Sequence, residues 1–356
     1  MRITPSLGSA LGAGAALISL AACSGGGSQF SPGASQSASA QSHSFARLPA
    51  GPLSLIDLYP SRAAGDRSKL LFVDPDAIKA QVDVSQYGGT SNPGEVNEYV
   101  AANKKNKKPF CQLANLTGIN AIETDVSGNL WVPYETASGV NQTVEYAPDC
   151  GKIGTTLADP DGQPVDIAFA ASGIDYVSDI LTNGSAGPGE ISIYAKGQTS
   201  PTGHLTNAAV FFSLGVAVDT KGNVYQSYLG NSQGTAGGVL EFKAGKGKGT
   251  VLKGIKIDEP GVVFLDSKDN LIVPDQGGTA LNTYAPPYTK LTSTFPLQAQ
   301  SIQCSLDKAE TTLACADGPN DAIDVYTYPA GKYEYSFNAG LSTSLSTIGV
   351  AQDPKY

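Results

Sequence analysis

A tyrosine or an aspartate closes the same short apolar run in six successive segments of the chain. These residues are Asp74, Tyr134, Asp179, Tyr228, Asp275 and Asp317. Phenol and carboxylate groups at strand ends can hydrogen-bond a polar ligand, but an aspartate there can equally accept backbone N–H groups of the next turn. Both interpretations stay open for the aspartates. For the ligand site we predict Tyr134, Asp179, Tyr228 and Asp275.

A second set of polar residues stands where sister segments carry Gly, Val or Ile. Asn120, Asp166 and Gln303 make up this set. Carboxylate and amide oxygens are the ligands preferred by a hard cation such as Ca²⁺. Asp166 is therefore the candidate metal ligand. Most segments lack an acidic residue at this position, so we predict no cofactor, with calcium as the alternative.

The two histidines give little support to catalysis. His43 lies in a segment rich in Ser and Gln, and His204 lies in a Pro-Thr-Gly segment predicted to be a loop. The sequence contains no HExxH or P-loop pattern. A zinc site or a histidine-based triad is therefore not expected, and we predict no catalytic residue.

The first 50 residues carry an export signal and a tether. Arg2 precedes an apolar stretch from Leu7 to Leu20, too short to span a bilayer, which ends in Leu-Ala-Ala-Cys at Cys23. This ending resembles a bacterial lipobox, which implies removal of residues 1–22 and lipidation, with palmitate among the acyl chains, of Cys23. Ser24 in the next position implies the outer membrane in a Gram-negative cell. Residues 24–50 are rich in Ser, Gly and Gln and are predicted to be a disordered tether.

The composition fits one large β domain spanning residues 51–356. The 356 residues include 41 Gly and 22 Pro, and the net charge is −9. A negative surface repels phosphate backbones, so nucleic acid is excluded as a partner. We predict a monomer.

The rest of the chain is an internal repeat. An alternating strand ending in an aromatic residue recurs six times, with aromatics at Tyr99, Tyr146, Tyr194, Phe242, Tyr284 and Tyr326. A strand–turn–strand unit precedes most copies, best formed around Asp125, Asp219 and Asp266, each followed by Gly or Asp and then Asn. With a fourth strand after each aromatic, the period of about 45 residues is that of a propeller blade. The sequence predicts an all-β, six-bladed β-propeller.

The ends of the domain predict ring closure. The run 69–74 matches the second strand of other blades, and residues 347–353 resemble a first strand such as 214–219. We therefore predict that 347–353 complete the first blade by pairing with 69–74, which removes two open sheet edges.

The Asp-x-x-Gly-Asn turns resemble NHL-type repeats and the related gluconolactonase-like propellers, over residues 65–356. The resemblance implies the propeller fold and, as an alternative function, a calcium-dependent lactonase-like hydrolase. It specifies function poorly, because propellers serve as enzymes, binding modules and scaffolds. A binding module, this hydrolase and a structural envelope scaffold are the three functions considered.

Lipidation of Cys23 leaves four cysteines in an exported chain, which favours two disulfides. Cys304 and Cys315 lie on adjacent arms of one predicted hairpin. Cys111 and Cys150 each follow a third strand, in neighbouring blades. We predict the pairs Cys304–Cys315 and Cys111–Cys150.

Loops after the second strands vary most and carry Asn, Gly, Ser and Gln, which suits a carbohydrate or peptide ligand. Trp131 is expected to pack between blades instead of binding. The run of Lys104, Lys105, Lys107 and Lys108 is either a solvated turn or a contact for anionic lipid or polysaccharide.

Overall fold

A computed structural model describes residues 81–352, apart from residues 90, 101–102, 149, 152, 184–186 and 235. The predicted leader, Cys23, the tether and the run 69–74 lie outside the described residues. No helix in the described part of the chain is long and apolar enough to cross a membrane.

The described chain forms six four-stranded antiparallel sheets, which are the six blades of a β-propeller. Blade 1 begins with β1 (Gln81–Tyr87), β2 (Gly94–Val100) and β3 (Cys111–Leu116). Blade 2 is β4 (Glu123–Thr124), β5 (Leu130–Glu135), β6 (Asn141–Tyr146) and β7 (Ile153–Ala158). Blade 3 is β8 (Gly162–Phe169), β9 (Asp175–Thr182), β10 (Glu190–Tyr194) and β11 (Gly203–Leu205).

The second half follows the same plan. Blade 4 is β12 (Phe212–Val218), β13 (Val224–Leu229), β14 (Gly238–Phe242) and β15 (Thr250–Val251), with a 3-10 turn at Lys243–Gly245. Blade 5 is β16 (Phe264–Leu265), β17 (Leu271–Asp275), β18 (Ala280–Tyr284) and β19 (Ser293–Pro296). Blade 6 is β20 (Cys304–Leu306), β21 (Thr312–Asp317), β22 (Ala322–Thr327) and β23 (Tyr333–Phe337). The predicted fold is confirmed.

The last strand of the chain closes the ring. β24 (Ser346–Gln352) is the inner strand of blade 1 and pairs antiparallel with β1, with Val84 opposite Val350. Closure by the C-terminal strand is therefore confirmed.

The predicted pairing of this strand with residues 69–74 is wrong, because its partner is β1. β1 is the second strand of blade 1, and only a short hairpin separates it from β2, as in the other blades. A strand at 69–74 would have needed a connection of about twenty residues to β2, far longer than a hairpin loop. The alignment of Asp74 with the residues that end the second strands of the other blades is likewise wrong. In blade 1 that position is taken by Gln86, which lies opposite Glu95 just as Asp179 lies opposite Glu190 in blade 3.

The antiparallel topology gives the propeller two faces. We name the turn face after the connections between first and second strands, and between third and fourth strands, which lie at one end of every blade. We name the mouth face after the connections between second and third strands and between consecutive blades. β1 begins on the turn face, since Gln81 pairs with Val100 at the end of β2.

The three turn aspartates, Asp125, Asp219 and Asp266, show why the strand–turn–strand unit forms. Asp219 Oδ1 accepts the N–H of Lys221 (2.9 Å) and of Asn223 (2.8 Å), and its Oδ2 accepts the Asn223 side-chain amide (2.7 Å). Asp125 and Asp266 make the equivalent bonds. Gly222 takes a φ of 80°, the left-handed conformation that glycine adopts without strain.

Inner strands of neighbouring blades touch each other through backbone. The N–H of Ala121 donates to the Val165 carbonyl, and that of Val262 to the Ile302 carbonyl. A Cβ on Gly215 would lie 2.7 Å from Val262 Cα, so only glycine fits there. These contacts fix the blades against one another at the centre of the ring.

Both predicted disulfides are present. Cys111–Cys150 joins blade 1 to blade 2, and Cys304–Cys315 joins β20 to β21 within blade 6. The first is therefore a crosslink between blades, whereas the second fixes one hairpin.

Candidate functional site

A cleft opens on the mouth face between blades 1, 2 and 3. Its volume is about 40 Å³, room for a few ordered waters or one polar group of a larger ligand. Its lining comprises Tyr87, Gly89, Thr117, Gly118, Asn120, Glu135, Asn141, Gln163, Pro164, Val165 and Ile180. The cleft therefore combines amides, a carboxylate and a phenol with a small apolar wall.

Three elements position the polar lining. Glu135 ends β5 and is fixed by its N–H, which donates to the Thr117 carbonyl at 2.8 Å. Asn141 opens β6 across the same hairpin, opposite Glu135. Gln163 lies in β8, where the register to β9 is irregular. The cleft is thus a junction of two strand ends and one bulged strand, a place where pairing stops and side chains turn to solvent.

Two acceptors of the lining residues have no hydrogen bond. Asn120 Oδ1 and Gln163 Oε1 are buried and find no partner in the protein. Buried acceptors without a partner cost free energy, about 1–3 kcal/mol each. Donors supplied by a bound molecule, directly or through water, would recover that cost.

The predicted tyrosines lie beneath the mouth loops. The Tyr134 hydroxyl is 2.7 Å from Gln142 Nε2, from which it accepts a hydrogen bond, and its ring packs on the core between blades 1 and 2. Tyr228 is only 5% exposed and packs between blades 3 and 4. Neither tyrosine lines the cleft.

The predicted aspartates divide into two kinds. Asp275 is half-buried and accepts the N–H groups of Gly277 and Gly278, and Asp317 accepts the N–H of Asn320 at 3.0 Å. Both cap the loop that follows them, the second of the two interpretations open from the sequence. Asp179 is fully buried and caps nothing of this kind.

Asp179 is part of a buried carboxyl pair. Its Oδ2 accepts the Ser192 hydroxyl at 2.7 Å, and Asp159 lies against it within hydrogen-bonding distance. Burial, and then the charge of Asp159, raise the pKa of Asp179 well above its ordinary value. Asp179 is therefore protonated under conditions in which an exposed aspartate is ionised. Ile180, its neighbour in β9, is the residue that reaches the cleft.

A serine, a histidine and a carboxylate meet in blade 3. His204 lies in strand β11, contrary to the expected loop, and its Nδ1 is 2.8 Å from Glu190 Oε1 and 3.4 Å from Ser192 Oγ. A catalytic histidine uses different ring nitrogens for the nucleophile and the acid. Here one nitrogen faces both groups, and Ser192 is 1% exposed and donates to Asp179. The arrangement is not a nucleophilic triad.

The inner-strand residues mainly hold blades together. Gln303 Oε1 accepts the N–H of Ile122 (3.1 Å) and of Val350 (3.0 Å), bridging blade 6 to blades 2 and 1. Asp166 Oδ2 accepts the N–H of Val216 in blade 4 at 2.8 Å. Of this set, only Asn120 lines the cleft.

The surroundings of Asp166 do not fit a calcium ion. Its Oδ1 has no partner, burial raises its pKa, and the neighbouring Glu123 also has a pKa raised, to about 7, by burial. Calcium takes six to eight oxygens, several of them ionised. Among the described residues, the only group of three or more His, Cys, Asp and Glu close enough to share an ion is Glu98 with Cys111 and Cys150, whose sulfurs form the disulfide.

The sequence did not single out Glu135, Asn141 or Gln163. Glu135 and Asn141 bound a loop noted as variable, which was the available signal. Trp131 packs between blades 2 and 3, with its ring 5.5 Å from that of Phe169, as expected.

Solved structures share this architecture. A chain in a crystal structure of a nidogen/laminin complex matches with a TM-score of 0.58 and 13% identity, over 77% of this chain and 98% of that one. A protein of unknown function from Bacteroides caccae matches with a TM-score of 0.56 and 12% identity, over 78% of this chain and all of that one (100%). At these identities the similarity shows the fold alone. No family model and no curated protein matches the sequence.

Together, the fold and these comparisons define the chain as a six-bladed β-propeller.

Proposed function

We propose that this propeller is a binding module that takes a polar ligand, a carbohydrate or a peptide, in the mouth cleft, and that a lipid on Cys23 anchors it outside the cytoplasm. The cleft's two unpartnered amide acceptors, on Asn120 and Gln163, are the observation that carries the proposal. A ligand with hydroxyl or N–H donors would satisfy them.

The charge of the cleft narrows the ligand class. Glu135 places a carboxylate in the lining, and the described lining residues include no lysine or arginine. An anionic ligand would be repelled by this carboxylate. Neutral sugars and neutral or basic peptides fit better, since their O–H and N–H groups donate to carboxylate and amide oxygens.

The anchor rests on the sequence. The lipobox-like ending at Cys23 and the Ser/Gly/Gln-rich segment after it support an acylated cysteine joined to the propeller by a tether. The Asp-x-x-Gly-Asn turns support an NHL-type, gluconolactonase-like assignment, which is finer than the fold comparisons reach. The chain with a solved structure in a nidogen/laminin complex has the same fold, which is compatible with a role in binding.

Ligand binding is tested on glycan and peptide arrays with two matched variants. Glu135→Ala with Gln163→Ala removes a charge and an amide from the cleft, and we expect it to weaken binding at least about tenfold, the loss of one charged and one neutral hydrogen bond. Tyr134→Phe with Tyr228→Phe keeps the rings that pack on the core and removes only the hydroxyl groups. We expect it to bind like the wild type.

Three results would contradict ligand binding in the cleft. Loss of binding confined to the tyrosine variant would move the site to the ring of strand ends, whose predicted members are Tyr134, Asp179, Tyr228 and Asp275. A wild-type protein that binds no glycan or peptide would favour the envelope-scaffold function. Lactone hydrolysis that requires calcium and is lost in Asp166→Ala would favour the hydrolase.

A further inference from the structure

Lysines are distributed unevenly between the two faces of the propeller. Thirteen of the fifteen lysines in the described part of the chain lie in turn-face connections, and all thirteen are exposed. They are Lys104, Lys105, Lys107, Lys108, Lys196, Lys221, Lys243, Lys246, Lys248, Lys268, Lys290, Lys308 and Lys332. The other two described lysines, Lys253 and Lys256, lie in the connection between blades 4 and 5, and the whole chain carries a net charge of −9.

Several carboxylates on the turn face are held in hydrogen bonds to the protein. The turn aspartates accept N–H groups of their own turns, and Asp219 and Asp266 are buried. Glu145 accepts the Thr155 N–H and the Asn129 amide. These carboxylates are committed to hydrogen bonds, whereas the thirteen lysines of this face are exposed.

The turn face is continuous between blades. The Thr220 hydroxyl donates to Asp269 at 2.9 Å, joining the turns of blades 4 and 5, and the Ser267 hydroxyl donates to Glu310 at 2.8 Å, joining those of blades 5 and 6. Lys104 is held 3.7 Å from Glu334 and 5.5 Å from the centre of the Tyr335 ring, so blade 1 joins blade 6. The lysine-bearing turns of blades 4, 5, 6 and 1 are therefore joined to one another.

The described chain also starts on this face. Gln81 opens β1 opposite Val100, and 80 residues precede it in the sequence, Cys23 among them. A lipid on Cys23 is covalently linked to the turn face through this segment.

We propose that the turn face docks on the surface of a bilayer that contains anionic phospholipid, with the mouth cleft directed away from the membrane. Exposed lysines are attracted to anionic headgroups and are screened by salt. This proposal rests on the proposed function in one respect, because the Cys23 anchor would keep the propeller close to the membrane. The attraction to the bilayer comes from the lysines. Ligand capture and membrane attachment thereby use opposite faces.

The test uses the processed chain from residue 23 with Cys23→Ala, which has no site for acylation. Binding is followed by energy transfer from Trp131, the only tryptophan, to a dansyl-labelled headgroup in phosphatidylcholine vesicles with or without phosphatidylglycerol. We expect binding only with phosphatidylglycerol, and weaker binding as salt is added.

Two lysine variants locate the surface. Lys→Gln changes at positions 104, 105, 107, 108, 243, 246 and 248 should reduce vesicle affinity at least about tenfold. Lys256→Gln, in the connection between blades 4 and 5, is the control and should bind like the parent. Circular dichroism melts establish that both variants fold.

Equal binding to neutral vesicles, unchanged binding of the seven-lysine variant, or equal loss in the control would overturn the docking surface. Retention on an anionic polysaccharide without binding to phosphatidylglycerol vesicles would also overturn it. Failure of the anchor is a separate result, seen as absence of palmitate labelling on the wild-type chain. An acylated wild type whose Cys23→Ala form binds no vesicles keeps the anchor and removes the docking surface.

Discussion

The turn aspartates of blades 2, 4 and 5 occupy equivalent places, as do the mouth-face aspartates of blades 3, 5 and 6, yet only the turn aspartates make the same contacts in every blade. Each turn aspartate accepts two backbone N–H groups and an asparagine amide. On the mouth face, Asp275 and Asp317 cap loops, whereas Asp179 is buried against Asp159. The turn face therefore repeats one aspartate-held turn, whereas the aspartates of the mouth face make different contacts in different blades.

The difference teaches where this fold has freedom. On the turn face, the hairpins of blades 2, 4 and 5 close in tight turns held by an aspartate, so a change there alters the strand register of a blade. Mouth-face loops carry no such repeated turn, so their residues can vary without loss of the fold. The cleft and its unpartnered acceptors lie on this second face.

The largest loss of stability is expected on removal of β24, the strand that closes the ring and runs from the mouth face to the turn face. Deletion of residues 346–356 removes β24 and exposes the inner edge of β1, which costs several kcal/mol, comparable to the total stability of a domain. We expect no cooperative melt by circular dichroism. Deletion of residues 353–356 alone is the control and should melt like the wild type. A cooperative melt near the wild-type temperature after the longer deletion would contradict closure by β24.

An intermediate effect should separate the two faces. Asp219→Ala loses three hydrogen bonds within its turn and a fourth from the Tyr225 hydroxyl at 3.0 Å, and should lower the free energy of unfolding by about 2–3 kcal/mol. Asp275→Ala loses two loop contacts of a half-buried group and should cost about 1 kcal/mol. Urea unfolding measures both. Equal costs would mean that the two faces contribute alike to stability.

The smallest effect is a pH dependence carried by the mouth face. Burial and Asp159 raise the pKa of Asp179, so its protonated form stabilises the folded state. This contribution is complete below the unfolded pKa of about 4 and is lost as the pH rises through the folded pKa. The groups facing it are Asp159, Glu190 and, through Glu190, His204.

We therefore expect the melting temperature to fall as the pH is raised above about 4, the unfolded pKa of an aspartate. Asp179→Asn imitates the protonated acid and should flatten this slope, with its largest gain at the higher pH. Asp317→Asn, which changes a capping aspartate in the same position of another blade, should keep the slope. A slope unchanged in Asp179→Asn would assign the dependence to other groups, such as Glu123, whose pKa is raised to about 7.

The repeat could be predicted from the sequence because its signals are local. An Asp, a Gly and an Asn at fixed spacing set a tight turn, and alternation sets the strands beside it. β1 was missed because its polar residues are buried, with Asp83 2% exposed and Ser85 fully buried. A pattern that places polar residues in the interior resembles a loop in the sequence, whereas the apolar run at 69–74 resembles a strand.

The sequence could predict which face of the propeller carries the cleft, but not which residues line it. Its lining comes from three blades, and which of two adjacent residues reaches it depends on the pleat at each strand end. In blades 2 and 3 the repeat directed attention to Tyr134 and Asp179, whereas Glu135 and Ile180 line the cleft. A shift of one residue reverses the side of a strand that a side chain occupies, and variable loops leave that register undetermined by sequence.

Closure by β24 also sets an order of events in the life of the chain. The Gln86 amide and the Thr347 hydroxyl are hydrogen-bonded at 3.2 Å although they lie 261 positions apart in the sequence, so the ring forms only after the ribosome has made β24. Until then β1 presents an unpaired edge. A polypeptide released before Gln352 keeps that edge, which can recruit a strand from another copy. Synthesis through β24 is thus a condition for a closed ring, and termination before it becomes a route to aggregation.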